Sequence, residues 1–296
     1  MTMRTLHELP RFRDRWSYLY LEMGRLDVDA DGLCFHQGED VVAVPIDQLA
    51  LVMLGPGTTV THAAVKSLSR NNCLLAWTGQ DGVRLYAAST GGTYSARRMI
   101  RQARLVSNEE SRLGVAWRMY RFRFSEPIPE EVTLQQIRGM EGIRVRRAYA
   151  QAAEKYGIEW KGRRYDQDEW GKSDPVNRAL SAANACLYGV CHAAILSAGY
   201  SAALGFIHTG KMLSFVYDIA DLYKTELTIP VAFRVAAENR PELERAARME
   251  CRTQFYEFRL MERILPDISE VLGVSDDSGE SPEELEGRIV TLDAGA

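Results

Sequence analysis

The first ninety or so residues carry strand patterns. WSYLYLEM (16–23) is aromatic and apolar. GRLDVDADGLCFHQGEDVVAVPI (24–46) alternates apolar and polar positions, with turn signals at Asp29–Gly32 and Gln37–Asp40. QLALVML (48–54) is instead a nearly continuous apolar run, the pattern of a strand buried on both faces. HAAVKSLSRNN (62–72) has helix composition, with Thr61 as its N-cap. CLLAWT (73–78) and VRLYAAS (83–89) return to strand pattern, with GQDG between them as a hairpin turn. These elements predict a small β-rich domain with one short helix over residues 1–92.

TGGTYS (90–95) is the expected linker. Beyond it the pattern turns helical over 96–124, 130–156, 175–200, 213–226, 230–239 and 241–264. Asp174-Pro175 is a start signal, with Asp at the N-cap and Pro at the first helical position. The helix it opens is rich in Ala, Ser and Gly, whose small side chains admit close neighbours, and is expected at the centre of its domain. The fold class is α+β: an N-terminal β-rich domain, then a larger all-helical domain over 93–275. An acidic tail, 276–296, contains DDSGESPEELE (276–286) and then GRIVTL (287–292). Its β-prone piece is suited to strand addition on a partner's sheet edge, or the tail simply frays.

Composition narrows the classes. The chain has 296 residues, 46% of them hydrophobic, which suffices for a real core. There is no run of about 18 apolar residues and no apolar leader in MTMRTLHELPRFRDRW, so a cytoplasmic protein without a membrane span is expected. Cys34, Cys73, Cys186, Cys191 and Cys251 form no CxxC pair and are expected as reduced, buried thiols. The formal net charge of −4 disfavours a nucleic-acid partner, but basic residues cluster in RRMIRQAR (97–104), RVRR (144–147), KGRR (161–164) and ERAARMECR (244–252).

The candidate chemistry lies in GFIHTGKMLSFVYDIADLYKTEL (205–227). His208, Asp218 and Asp221 interrupt a largely apolar stretch. Asp218 and Asp221, three apart, share one helix face, and Lys224 comes three further on. A third acid stands on the apolar stripe Leu134, Ile137, Glu141, Val145, Ala148, Ala152 of another helix. A glutamate there must be protonated, paired or bound to something. Gly139 and Gly142 flank Glu141 at a cost of about 1 kcal/mol each in helix propensity, which suggests that something approaches the backbone closely. These residues are either polar groups on an amphipathic helix plus a buried ion pair, or ligands of a divalent ion. Carboxylates with one imidazole suit Mg²⁺ or Mn²⁺.

Several ordered motifs resemble one family. LEMGRLDVDADG (21–32), VMLGPGTTVTHAAV (52–65), GVRLYA (82–87), IRGMEGIRVRRAYA (137–150), GRRYD (162–166), NRALSAANACLYGV (177–190), GYSAALGFIHTG (199–210) and LSFVYDIADLYK (213–224) resemble the CRISPR-associated integrase of the adaptation stage, the Cas-one family, and within it the type I-E branch. The likeness runs from about residue 12 to 265. It implies a β-rich dimerisation domain and a helical catalytic domain. It also implies metal ligands at Glu141, His208 and Asp221, with Asp218 as an additional catalytic acid. The implied reaction is metal-dependent transesterification, in which the 3′-OH of a short prespacer DNA attacks a phosphodiester at the edge of a CRISPR repeat. The implied partners are double-stranded DNA, a second copy of the chain and the small adaptation protein of the Cas-two family.

Several side chains are candidate DNA contacts. Arg84, Lys211, Lys224, Arg248 and Arg252 are candidates for phosphates. Tyr165 and Trp170 are candidates for stacking on an exposed base, or for anchoring their own loop. Tyr188 and Tyr217 lie near the catalytic helices and either contact DNA or pack in the core. His192, in an apolar helix, is expected to be structural; His7, His36 and His62 have no assigned role. A repair nuclease with the same site and a DNA-binding scaffold with a vestigial one are the competing functions.

Overall fold

The computed structural model of the chain describes residues 18–30, 32–79, 85–89, 96–124, 126–129, 132–163, 174–240 and 242–274. Strands come first: β1 (Leu19–Leu21), β2 (Gly24–Asp29), β3 (Gly32–Gln37), β4 (Asp40–Ala43), β5 (Leu51–Leu54), β6 (Thr58–Val60), β7 (Leu74–Thr78) and β8 (Leu85–Ala88). Helix α1 (His62–Arg70) connects β6 to β7, and the Thr61 side chain accepts the Ala64 N–H as its N-cap. The strands form two four-stranded sheets, ordered β1-β5-β7-β8 and β4-β3-β2-β6. Both hairpin turns stand where the turn residues are: Asp29 lies opposite Gly32, and Gln37 opposite Asp40. The GQDG turn lies mostly, and the TGGTYS linker wholly, outside the described residues.

β5 is buried on both faces, as its unbroken apolar run requires. Leu51 and Met53 point into the core shared with the helices. Val52 and Leu54 point the other way, into a core with Leu26, Phe35, Leu68 and Leu75. The sheet and the helical region are therefore joined by one continuous apolar interior rather than by a linker alone.

The helices are α2 (Arg97–Ser107), α3 (Glu109–Phe122), α4 (Leu134–Tyr156), α5 (Pro175–Ser197), α6 (Ser214–Ala220), α7 (Thr228–Ala237), α8 (Leu243–Glu257) and α9 (Leu260–Leu272). Three sequence expectations are corrected. The 96–124 segment breaks at Asn108, whose side chain caps α3 by accepting from the Ser111 N–H. The 213–226 segment is helical only to Ala220 and continues as turns. The 241–264 segment splits at Arg259, where a φ of 57° ends one helix and starts the next at a new angle.

α5 is the central helix. Asp174 accepts the Asn177 N–H at its N-cap, with Pro175 at the first turn. A side chain at Gly189 would place Cβ 2.8 Å from Leu51 Cδ2, so this position lets the helix lie directly on β5. α5 also packs against α6, α7, α8 and α9. Among the described residues it is the one helix long and apolar enough to cross a membrane, and it is mostly buried inside the protein. All five cysteines are buried free thiols. Burial pushes Cys186 up to about 11, which leaves it an inert thiol. Burial likewise pushes His192 down to about 4, so it is a neutral core residue.

Candidate active site

The site is built around the loop that joins α5 to α6. Gln102 of α2 is fully buried, accepts the Ser201 N–H and donates to the Ser201 and Leu204 carbonyls, which pins the start of this loop. Gly205 makes the next turn possible: a Cβ there would stand 2.3 Å from the His208 carbonyl oxygen. Phe206 then anchors the loop in the core, edge-on to Phe215 at 5.8 Å.

Asp218, with no exposed surface, organises the loop from Phe206 to His208. Its carboxylate accepts the backbone N–H groups of Phe206 (2.6 Å), Ile207 (3.1 Å) and His208 (2.9 Å). It also lies 2.8 Å from His208 Nδ1. Donors in this number replace the water that a buried carboxylate has lost. The bond engages Nδ1 and leaves Nε2 as the outward ring nitrogen. Nε2 is 3.8 Å from Asp221 Oδ2, and the imidazole side chain is 42% exposed.

Asp221 comes directly after the last residue of α6, on the same side as Asp218, as the spacing of three predicted. Lys224 Nζ stands 2.5 Å from its Oδ1. Burial works to raise the Asp221 carboxyl, but the charges of Lys224, Arg123 and His208 outweigh it and hold the pKa below the usual carboxylate range. Burial works to lower Lys224, and Asp221 and Tyr188 reverse that and raise it. The ammonium also lies over the Tyr188 ring, 4.8 Å from its centroid.

Glu141 reaches this group through arginines. Arg144 donates to both its oxygens, at 2.7 and 3.0 Å, and bonds Thr225 Oγ1 at 2.9 Å. Arg123, almost wholly buried, lies 3.2 Å from Glu141 Oε1 and 3.5 Å from the Asp218 carbonyl oxygen. The buried Arg123 Nε has no hydrogen-bond partner among the described residues. Of the three states open to Glu141, the structure shows the ion-paired one. The sequence pointed to neither arginine: Arg144 was readable as the residue three after Glu141, whereas Arg123 comes from the end of α3 and left no local signal.

His208, Asp218 and Asp221 thus come together directly, and Glu141 joins them across Arg123. Among the described residues, no three His, Cys, Asp or Glu side chains already stand as a metal cage. The donor set nevertheless suits a hard divalent ion. Glu141 and Asp221 are carboxylates whose positive partners are now Arg123 and Arg144 for the one and Lys224 for the other, and His208 adds an imidazole. Nothing among the described residues approaches a Cβ built at Gly139 within 4 Å, and only Arg146 Nη1, at 3.5 Å, approaches one at Gly142. The two glycines, three apart, leave one face of α4 open, and it is not the face that carries Glu141.

The remaining candidates separate. Tyr188 and Tyr217 meet edge-on at 5.1 Å, and Tyr217 meets His208 at 5.9 Å, so both aromatics wall the site. Lys211 and Arg252 are exposed. Arg248 is only 5% exposed, with its guanidinium over the Tyr20 ring at 4.2 Å, because α8 turns this position toward the sheet. Arg84, Tyr165 and Trp170 lie outside the described residues.

Comparison with known proteins identifies the family. The family described as CRISPR associated protein Cas1 matches residues 18–126 and 122–247. CRISPR-associated endonuclease Cas1 2 of Thermus thermophilus is 51% identical over 90% of this chain and 82% of its own length. CRISPR-associated endonuclease Cas1 of Escherichia coli is 41% identical over 96% and 93%. The crystal structure of a TtCas1–DNA complex, 48% identical, superposes with a TM-score of 0.81 over 90% of this chain and 95% of that one. The CAS1 protein TM1797 of Thermotoga maritima, 16% identical with a TM-score of 0.66 over 89% and 99%, shares the fold. The chain belongs to the family of the CRISPR associated protein Cas1.

Proposed function

We propose that this chain is a DNA endonuclease and integrase that inserts short prespacer DNA into a CRISPR array, and that it belongs to the type I-E branch. The observation that carries the reading is the hold of Asp218 on His208, which turns the imidazole toward Asp221. Family membership and the endonuclease activity for which its relatives are named support it.

Glu141, His208 and Asp221 would hold Mg²⁺ or Mn²⁺, which supplies Lewis acidity toward a phosphodiester oxygen when bound. The chain's own residues do the rest. Asp218 fixes the rotamer of His208. Lys224 and Arg123 counter the negative charge that builds on the non-bridging phosphoryl oxygens as the 3′-oxygen attacks, at a cost already met in folding. Tyr188 and Tyr217 wall the site and restrict water, which favours transfer to DNA over hydrolysis. The bond formed joins the incoming 3′-oxygen to phosphorus, and the bond broken releases a repeat 3′-OH. No covalent enzyme intermediate is needed, consistent with the buried, inert cysteines.

The glycines at 139 and 142 leave one face of α4 open. Lys211 and Arg252 would hold phosphates. The assembly we propose is a homodimer, joined through the β-rich region of residues 1–92 and completed by the small Cas-two protein, with the helical region of 93–275 carrying catalysis. It would work in the cytoplasm, where the array lies.

The test is incubation with short DNA bearing free 3′-OH ends, a supercoiled repeat plasmid, the partner protein and Mn²⁺. Joined products are expected, and Glu141→Ala, His208→Ala and Asp221→Ala should each abolish them while DNA binding persists. Cleavage without joining, with the partner present, would replace the integrase by a repair nuclease. Unchanged spacer acquisition in cells by all three variants would leave only a scaffold.

A further inference from the structure

α2 buries a single residue, and it is a glutamine. Gln102 stands on the inward stripe of that helix, three and four positions before the half-buried Leu105 and Val106, where an apolar side chain is the ordinary occupant. A buried amide is costly unless it is bonded. Gln102 Oε1 accepts the Ser201 N–H at 2.8 Å, and its Nε2 donates to the Ser201 carbonyl at 3.0 Å and to the Leu204 carbonyl at 2.8 Å. The loop it grips has no ladder of its own, since residues 201–213 contain neither helix nor strand. Gln102 supplies partners there as a neighbouring strand would. One turn earlier on α2, Arg98 Nη1 donates to the Ala198 carbonyl at 3.3 Å, and its guanidinium lies 5.9 Å from the centre of the Tyr200 ring.

On its other side the loop is tied to α6, where the Phe215 N–H donates to the Ala202 carbonyl at 2.9 Å. His208 comes four residues after Leu204. Between them Gly205 folds the chain back so closely that a Cβ would stand 2.3 Å from the His208 carbonyl oxygen and 2.7 Å from Ser214 Cβ. A shift at Leu204 is therefore passed on to His208 rather than absorbed. Asp218 holds His208 from α6 alone. One anchor leaves a loop free to pivot about it, whereas two fix its direction. We propose that Gln102 is a positioning residue for His208: by clamping the backbone of Ser201 and Leu204 to α2, it sets the direction from which the loop brings the imidazole to Asp221. Gln102 touches no reacting atom. The proposal rests on the reading of His208 as part of the catalytic site, but its geometry is testable without DNA or metal.

The experiment labels the histidine rings of the full-length protein with carbon-13 and records their NMR signals in EDTA. His208→Ala assigns the signal of interest. The ring lies edge-on to Tyr217 at 5.9 Å, so a displaced imidazole changes its place in the field of that aromatic and its signal moves. Gln102→Glu keeps the length and the acceptor but sets an oxygen against the Ser201 and Leu204 carbonyls. Gln102→Asn keeps the amide but is one methylene short. Both should move the His208 signal and leave those of His36 and His62, in the β-rich region, in place. Both should slow joining by about tenfold with DNA affinity unchanged, as a misplacement of a fraction of an ångström would. Val115→Ala, in the fully buried core of α3, is the control: it should lower the melting temperature and leave the His208 signal where it is. A His208 signal that neither Gln102 variant moves overturns the proposal, as does a moved signal with joining at the wild-type rate. So does an equal movement in Val115→Ala, which would mean a general loosening, or failure of both Gln102 variants to fold, which would make the residue structural. A moved signal in a protein whose wild type neither joins nor cleaves DNA supports the clamp and counts only against the proposed function.

Discussion

Asp218 holds His208 twice, through the backbone N–H at 2.9 Å and through ring Nδ1 at 2.8 Å, and the same carboxylate takes the two preceding N–H groups. Asp218 is thus a positioning residue: with both oxygens engaged and no exposed surface, it acts through the loop. Asp218→Asn turns an acceptor-only group into one that presents N–H toward other N–H donors. The expected loss is about 3 kcal/mol of stability together with joining activity. Thermal unfolding and the joining assay measure the two. A stable variant with full activity would show that the loop needs no such anchor.

Metal binding should appear as a stability change that needs no DNA. A ligand at a hundred times its dissociation constant stabilises the native state by about 2.7 kcal/mol. Wild type should therefore melt higher in saturating Mn²⁺ than in EDTA, and Glu141→Ala and His208→Ala should not respond. In EDTA, Glu141→Ala alone should lose about 3 kcal/mol, since it leaves the buried Arg123 without its carboxylate. A wild-type melting temperature indifferent to Mn²⁺ and Mg²⁺ would remove the metal assignment.

Two arginines one turn apart on α8 should fail differently. Arg252 is exposed, so Arg252→Ala should lower the salt dependence of DNA binding by about one unit of slope and leave folding intact. Arg248 is packed on Tyr20, so Arg248→Ala should lower the melting temperature more than Arg252→Ala does. Titrations across salt concentrations and a melting curve for each variant separate the two. The reverse pattern would contradict the packing of Arg248 on Tyr20.

Tyr223 donates to Asp267 across 2.8 Å, tying the segment after Asp221 to α9. Burial raises the Asp267 pKa, and the Tyr223 hydrogen bond and Arg263 offset this only in part. The folded carboxyl therefore keeps its proton to higher pH than the unfolded one, whose pKa is about 3.9. Its contribution to stability is complete below that value and is lost as pH rises through the raised folded pKa. Asp267→Asn keeps an acceptor for Tyr223 and removes the titration. Urea unfolding should show the variant gaining on wild type between pH 4 and pH 7; a difference that is flat across that range would contradict the assignment.

Much of the fold was legible because its causes are local. Thr61 and Asp174 cap helices through their own next turn, and Gly189 marks a close approach by having no side chain. Val52 and Leu54 alternate with Leu51 and Met53, so an unbroken apolar run could only be buried twice. The spacing of Asp218 and Asp221 likewise put both on one side of a helix. Helix breaks were less legible. Nothing near Arg259 announces a left-handed residue, since that conformation is imposed by where α8 and α9 must pack.

By itself the sequence determined the element types, the order of sheets before helices and the polar residues too costly to bury alone, because propensity, period and capping act over a few residues. Only the tertiary structure decided that Arg123, 18 positions from Glu141 and 95 from Asp218, would join them, and that Arg248 would face the sheet rather than solvent. It also decided that Gln102 of α2 would clamp the loop that carries His208. These are consequences of which helix faces meet, and contacts between distant segments are set by the packing of the whole core.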